Sequence, residues 1–217
     1  MRLVAGLDEA GRGPVIGPMV IAGVVIDDSR IPQLLDIGVK DSKKLTPKKR
    51  EELLGSIMEL IERHRVEIIP PEAIDGIRVA KNINLLEVEV FTGIINRLSP
   101  DVAQIGSVDV DCTRFKKRIC AGINQSVEVI SVHHAEDAYP AVAAASIVAK
   151  TARDGEIASL WEQYGDFGSG YPSDPKTRAY IINKIELGEA LPPIVRHSWK
   201  TITELANCIK NGSLKTF

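Results

Sequence analysis

Leu3-Val4-Ala5-Gly6-Leu7-Asp8-Glu9-Ala10-Gly11-Arg12-Gly13-Pro14 sets two carboxylates at the tip of a short apolar run and a glycine-flanked arginine straight after them. The run Leu3 to Leu7 reads as a buried strand. Paired acids suit a hard divalent cation such as Mg²⁺, which takes oxygen ligands. Gly11-Arg12-Gly13 suits a phosphate or a sugar edge. Glycine admits close approach of backbone N–H groups, and arginine offers a planar fork of donors. A bare Asp-Glu pair also fits a solvated strand end before a turn; the heptapeptide Asp8 to Pro14 is far more specific. Adjacent residues of an ideal strand face opposite ways. The strand is therefore expected to end or kink at Asp8-Glu9 if both acids serve one site.

Working outward, Pro18 to Ile26 is apolar and β-branched, a second strand joined to the first by a short connection. Thr46 is a good N-cap and Pro47 a good first helical residue. They open a helix to about His64, with Leu53, Leu54, Ile57, Leu60 and Ile61 on one face. Val66 to Ile69 is a short strand closed by Pro70-Pro71. Asn82 to Leu98 is an amphipathic helix, and Val102 to Val108 a strand containing Gly106. A helix over about Thr113 to Gly122 and a strand over Val127 to Val132 follow, then His133-His134-Ala135-Glu136-Asp137. A long helix covers about Tyr139 to Tyr164. Gly165 to Ser173 is a glycine-rich loop, and further helices start at Asp174-Pro175 and at Ser198 or Trp199. Short connections early and a helical crossover in the middle predict a mixed sheet flanked by helices, an α/β fold.

The chain of 217 residues can bury one sizeable core, or a core plus a small appended unit. Its 44% hydrophobic and 26% charged residues are those of a globular protein. No apolar run reaches the ~20 residues of a membrane helix, and the run after Arg2 is broken at once by Asp8-Glu9, unlike a signal peptide. The cytoplasm is the expected location. Cys112, Cys120 and Cys208 lack zinc-like spacing and are expected as reduced thiols. A net charge of −2 places any nucleic-acid affinity in a local patch. The densest basic cluster is Lys40, Lys43, Lys44, Lys48, Lys49 and Arg50. A solvated helix start is the usual reading of such a cluster, but basic charge at a helix N-terminus opposes the macrodipole, and that conflict adds weight to phosphate binding.

Asp8-Glu9-Ala10-Gly11-Arg12-Gly13 resembles the opening signature of ribonuclease HII, in particular its archaeal branch. Asp41-Ser42-Lys43-Lys44-Leu45, Tyr139-Pro140-Ala141-Val142-Ala143-Ala144-Ala145-Ser146-Ile147-Val148-Ala149-Lys150 and Gly168-Ser169-Gly170-Tyr171-Pro172-Ser173-Asp174-Pro175 carry the resemblance on in order. It implies a ribonuclease H-like mixed five-stranded sheet in a catalytic domain over residues 1–172, then a small helical region over 173–217. It also implies an endonuclease, expected as a monomer, that uses Mg²⁺ or Mn²⁺. The substrates would be RNA–DNA hybrids and duplex DNA containing ribonucleotides, cut to leave 3′-hydroxyl and 5′-phosphate ends.

By that resemblance the catalytic acids are Asp8, Glu9, Asp109 and Glu136, with Asp8, Glu9 and Asp109 as metal ligands. Gly11, Arg12, Gly13 and Tyr171 would recognise the ribose 2′-OH, the group that separates RNA from DNA, and Lys43 and Lys44 the backbone. Two positions depart from the pattern: Gly106 stands where the family has an acid, and Glu136 where it usually has aspartate. Three accounts stay open: Asp109 swings in for the missing acid, the site works more weakly with three acids, or this is an impaired binder of RNA–DNA junctions. His133 and His134 read as packing or surface groups, since hard cations prefer oxygen. Ser146 and Lys150 read equally as phosphate contacts or ordinary helix residues. The tail Asn211-Gly212-Ser213-Leu214-Lys215-Thr216-Phe217 is similar to a sliding-clamp-binding motif, with Leu214 and Phe217 as anchors.

Overall fold

The computed structural model describes residues 2–39, 46–80 and 82–210. Lys43, Lys44, Leu214 and Phe217 lie outside them. Five strands form one mixed sheet: β1 (Leu3–Ala10), β2 (Met19–Asp27), β3 (Arg63–Ile69), β4 (Val102–Gly106) and β5 (Glu128–Val132), in the order β3-β2-β1-β4-β5. β1 runs antiparallel to β2 and parallel to β4, and β4 is parallel to β5. The expected α/β class and five-stranded sheet are therefore present.

The helices are α1 (Ile31–Asp36), α2 (Pro47–Leu60), α3 (Pro71–Ala80), α4 (Ile83–Leu98), α5 (Cys112–Gly122), α6 (Ala135–Ala138), α7 (Pro140–Tyr164), α8 (Pro175–Glu186) and α9 (Lys200–Lys210). Thr46 caps α2 as expected, its hydroxyl accepting from Lys49 N at 3.3 Å. That helix stops at Leu60 rather than near His64, because Arg63 and His64 are already in β3. Pro70-Pro71 does more than close a strand. Pro71 is the first residue of α3, where a missing N–H costs nothing. No described helix is long and apolar enough to cross a membrane.

The chain divides into two compact units: residues 1–10, 20–68 and 83–154, and residues 11–19, 69–82 and 155–217. A single cut near residue 172 does not reproduce this division. Ile16 bridges to Val195, and Val15 N and Ile16 N donate to Gly170 O, so an early segment joins the late ones.

Strand alternation builds the core of the first unit. Val20, Ala22, Val24 and Ile26 of β2 share a cluster with Val4 of β1, Leu53 and Ile57 of α2, and Ala141, Ala143 to Ala145 and Ile147 to Ala149 of α7. The intervening position Gly23 faces the other way, where a Cβ would meet Ile94 and Leu98 of α4. β2 is thus covered on both faces, as its unbroken apolar sequence requires.

At Gly6 the backbone of α7 lies directly against β1. A Cβ there would lie 2.0 Å from the carbonyl carbon of Ala141. The obstacle is backbone, so no rotamer relieves it. Gly6→Ala is expected to destabilise the fold by more than about 3 kcal/mol, read as a lower urea midpoint; an unchanged midpoint would refute this contact. The second unit has its own core, in which Val15, Ile16, Ile157, Phe167, Ile181, Val195 and Leu205 pack together.

Candidate active site

Asp8 and Glu9 do not follow the end of β1; they lie inside it, opposite Ala22 and Ile21 of β2. The expected strand end or kink is therefore absent. What serves instead is the other edge. Pairing of β1 with β4 stops at Leu7–Ile105, so Asp8 and Glu9 run on past the last parallel pair. A polar cavity of about 170 Å³ opens at these strand tips, lined by Asp8, Glu9, Gly106, Ser107, His133, His134 and Glu136. Crevices at the carboxyl ends of parallel strands are where α/β sheets bind ligands.

Asp8 shares the β1 face of Val4 and Gly6, which meets α7. Ser146, fully buried on α7, hydrogen-bonds its carboxylate, and the Glu9 backbone N–H does so too. Lys150 Nζ donates to Ser146 Oγ at 2.6 Å, one turn further on. Burial pushes the Asp8 carboxyl up to about 6; Ser146 and then Lys150 pull against this, and Glu136 pushes with it. Ser146 and Lys150 thus support an acid of the site. One polar residue in the apolar run Ala143 to Ala149, with a lysine four residues on, was the signal for it.

Ser146→Ala is expected to weaken Mn²⁺ binding by about 10- to 100-fold, the usual effect of losing a hydrogen-bond partner of a ligand. Calorimetric titration of the metal-free protein reads this directly; unchanged affinity would show that Asp8 needs no such support.

Glu136 reaches the cavity from α6, just after β5. The reversal is made at His134, which adopts a left-handed conformation with φ 53°. His133 and His134 line the cavity rather than standing apart from it. His134, Glu136 and Asp137 have ligand atoms within 4.8 Å of one another, among exposed or half-buried groups.

Asp109 is elsewhere. It is not among the cavity's lining residues, and its carboxylate is buried and held by Arg114, with Nε at 3.0 Å and Nη2 at 2.5 Å. The amide of Asp111 donates to it as well. Arg114 chiefly holds the Asp109 carboxyl down at about 2. Of the three open accounts, the one in which Asp109 stands in for the acid missing at position 106 meets a carboxylate already engaged: it anchors the start of α5, where Asp111 is the N-cap. Gly106 itself stands beside Asp8, and a Cβ there would lie 3.3 Å from Asp8 Oδ1.

The donors fit a hard divalent cation. Asp8, Glu9 and Glu136 offer oxygen, and the Glu136 charge raises the cost of ionising Asp8, which a bound cation would offset.

The second unit holds the residues expected to read the sugar. Gly11, with φ 80°, opens a loop ending at Gly17, and a Cβ on Gly13 would lie 3.7 Å from Tyr171 Cε1. Tyr171 is 39% exposed. It follows Gly168 and Gly170, both at positive φ, and Gly170 carries no Cβ because one would lie 2.6 Å from Ile16 O. Asp174 braces this turn, accepting from Ser169 N at 2.7 Å and Lys176 N at 2.9 Å. So Gly11, Arg12, Gly13 and Tyr171 are brought into one loop cluster.

A sequence model of the family Ribonuclease HII matches residues 5–202. The chain belongs to the ribonuclease HII family. Its activity class is that of a ribonuclease H, a nuclease hydrolysing RNA in RNA–DNA hybrids. Ribonuclease HII of Thermococcus kodakarensis is 46% identical over 210 residues, covering 96% of this chain and 91% of that one. The crystal structure of ribonuclease H2 from Pyrococcus horikoshii OT3 matches with a TM-score of 0.89 at 44% identity, over 96% of this chain and 99% of that one. The structure of a PCNA:RNase HII complex from Archaeoglobus fulgidus matches with a TM-score of 0.85 at 44% identity, over 91% of this chain and 95% of the other. Both structures share the mixed-sheet ribonuclease H-like fold.

Proposed function

We propose that this ribonuclease HII relative is a metal-dependent endonuclease that cuts the RNA strand of hybrids and also cuts at single ribonucleotides embedded in duplex DNA. It leaves 3′-hydroxyl and 5′-phosphate ends. The observation carrying this reading is the convergence of Asp8, Glu9 and Glu136 on one cavity at the tips of β1, β4 and β5. Asp8, Glu9 and Glu136 would hold Mg²⁺ or Mn²⁺, which when bound would neutralise charge on the phosphate and activate water.

The protein's own groups do the rest. Ser146 and Lys150 hold the Asp8 carboxylate in place and favour its ionised form. Gly11, Arg12, Gly13 and Tyr171 meet the sugar whose 2′-hydroxyl marks RNA. Lys43 and Lys44 contact the backbone. Leu214 and Phe217 dock on a sliding clamp, a reading supported by the Archaeoglobus fulgidus relative solved with PCNA.

A second reading, a catalytically impaired binder of RNA–DNA junctions, is favoured by Gly106, which leaves the cavity one acid short. A duplex with one ribonucleotide, incubated with Mg²⁺ or Mn²⁺, separates the two. A single cut beside the ribonucleotide is expected; tight binding with no cut under either metal would sink the endonuclease.

A further inference from the structure

Three carbonyls of the segment from Gly11 to Gly17 converge on one guanidinium. Arg196 Nε donates to Gly17 O at 2.9 Å, Nη1 to Arg12 O at 3.0 Å and Nη2 to Gly11 O at 2.6 Å. The side chain is fully buried, and its Cζ stands 4.9 Å from the centre of the Trp199 ring. Trp199 Nε1 donates to Gly13 O at 3.4 Å, and the Arg196 amide donates to Val15 O at 2.8 Å. The following residues are pinned too: Asp75 accepts from His197 N at 2.8 Å and from Ser198 Oγ at 2.6 Å. Burying a charge is costly, and an apolar side chain would fill the same space. The arginine does something that packing cannot.

Peptide geometry says what. Every described peptide bond is trans, and in a trans peptide the C=O and N–H point opposite ways. The Gly11 carbonyl shares its peptide with the Arg12 N–H, and the Arg12 carbonyl shares its own with the Gly13 N–H. With both carbonyls turned onto Arg196, both N–H groups are turned away from it. Successive N–H groups presented together form a concave donor pair suited to an oxygen.

We propose that Arg196 is the specificity-determining positioning residue of this loop. It orients the Arg12 and Gly13 amides as paired donors for a ribose oxygen of the substrate, and Trp199 holds its plane. The proposal rests on the reading of Gly11-Arg12-Gly13 as the sugar-recognising loop. Lysine cannot substitute, because an ammonium lacks the planar fork that spans separate acceptors.

The test compares full-length wild type with Arg196→Lys, binding two duplexes by fluorescence anisotropy with Ca²⁺ in place of the catalytic cation. One duplex is all DNA; the other carries a single ribonucleotide. The ratio of the two affinities is expected to fall at least about tenfold in the variant, with all-DNA binding nearly unchanged. An unchanged ratio, or equal loss on both duplexes, would overturn the proposal. A wild type with no preference would overturn the sugar-reading loop itself, and the proposal with it. Should Arg196→Lys not fold, Trp199→Leu keeps the guanidinium but removes its stacked ring. A drop of about threefold in the same ratio is expected there, and no drop overturns the proposal.

Discussion

Gly106→Asp is expected to raise kcat/KM on the order of 10²-fold, the size of effect that a ~1 Å change in catalytic positioning produces. The argument is geometric. Ile105 is the β4 residue paired with Leu7, so residue 106 is the next step along the strand, beside Asp8. A Cβ there points at the Asp8 carboxylate from 3.3 Å. That contact is tight but adjustable, since it ends on a side-chain oxygen that can give by a few tenths of an ångström. The new carboxylate would add an oxygen donor to the cavity of Asp8, Glu9 and Glu136. It also adds a negative charge next to one already penalised, so the metal-free variant should be less stable and Mg²⁺ should restore it. Single-turnover cleavage of a duplex carrying one ribonucleotide measures the first effect, and thermal melting with and without Mg²⁺ the second. No gain in rate would mean that three acids already complete the site.

Asp8→Asn should lose activity by about 10³-fold yet stabilise the metal-free fold. In the unfolded chain the carboxyl titrates near 3.8; in the native protein it titrates near 6. Between these values the native state binds more protons than the unfolded one, so stability falls as pH rises through that window. The full penalty is present above pH 6. Allowing for solvent screening of a half-buried group, it is about 1–2 kcal/mol, or a few degrees in Tm for a chain of this length. In EDTA the wild type should melt lower at pH 7 than at pH 5 from this group. The Asn variant should lack that difference and melt above wild type at pH 7. Mg²⁺ should raise the wild-type Tm and leave the variant's almost unmoved. A variant that melts below wild type at pH 7 would show that Asp8 is not strained by its burial.

Much of the fold was legible in order along the chain. The apolar run into Asp8-Glu9, the cap at Thr46 and the small-residue stretch Ala141 to Ala145 each have a local cause: strand burial, N-capping and close helix–sheet packing. Asp8 and Glu9 could be singled out because paired acids after an apolar run carry chemistry in their own residue type, whereas Gly106, Glu136 and Tyr171 stood out only through the resemblance to ribonuclease HII. The α3 helix was hidden behind Pro70-Pro71, which reads equally as a strand stop and a helix start.

Which acid goes where was a different kind of question. Asp109 and Gly106 lie three residues apart on one segment, and sequence spacing alone allows either to serve the cavity. The parallel register with β1 puts position 106 next after the last pair, beside Asp8, while the Arg114 guanidinium holds the Asp109 carboxylate. Ser146 became a partner of Asp8, and Arg196 an organiser of Gly11 to Gly17, only through contacts between residues more than a hundred positions apart. Local sequence expresses periodicity and residue chemistry. Pairing across such distances depends on strand register and helix packing, which no short stretch encodes, so the tertiary structure alone assigned these roles.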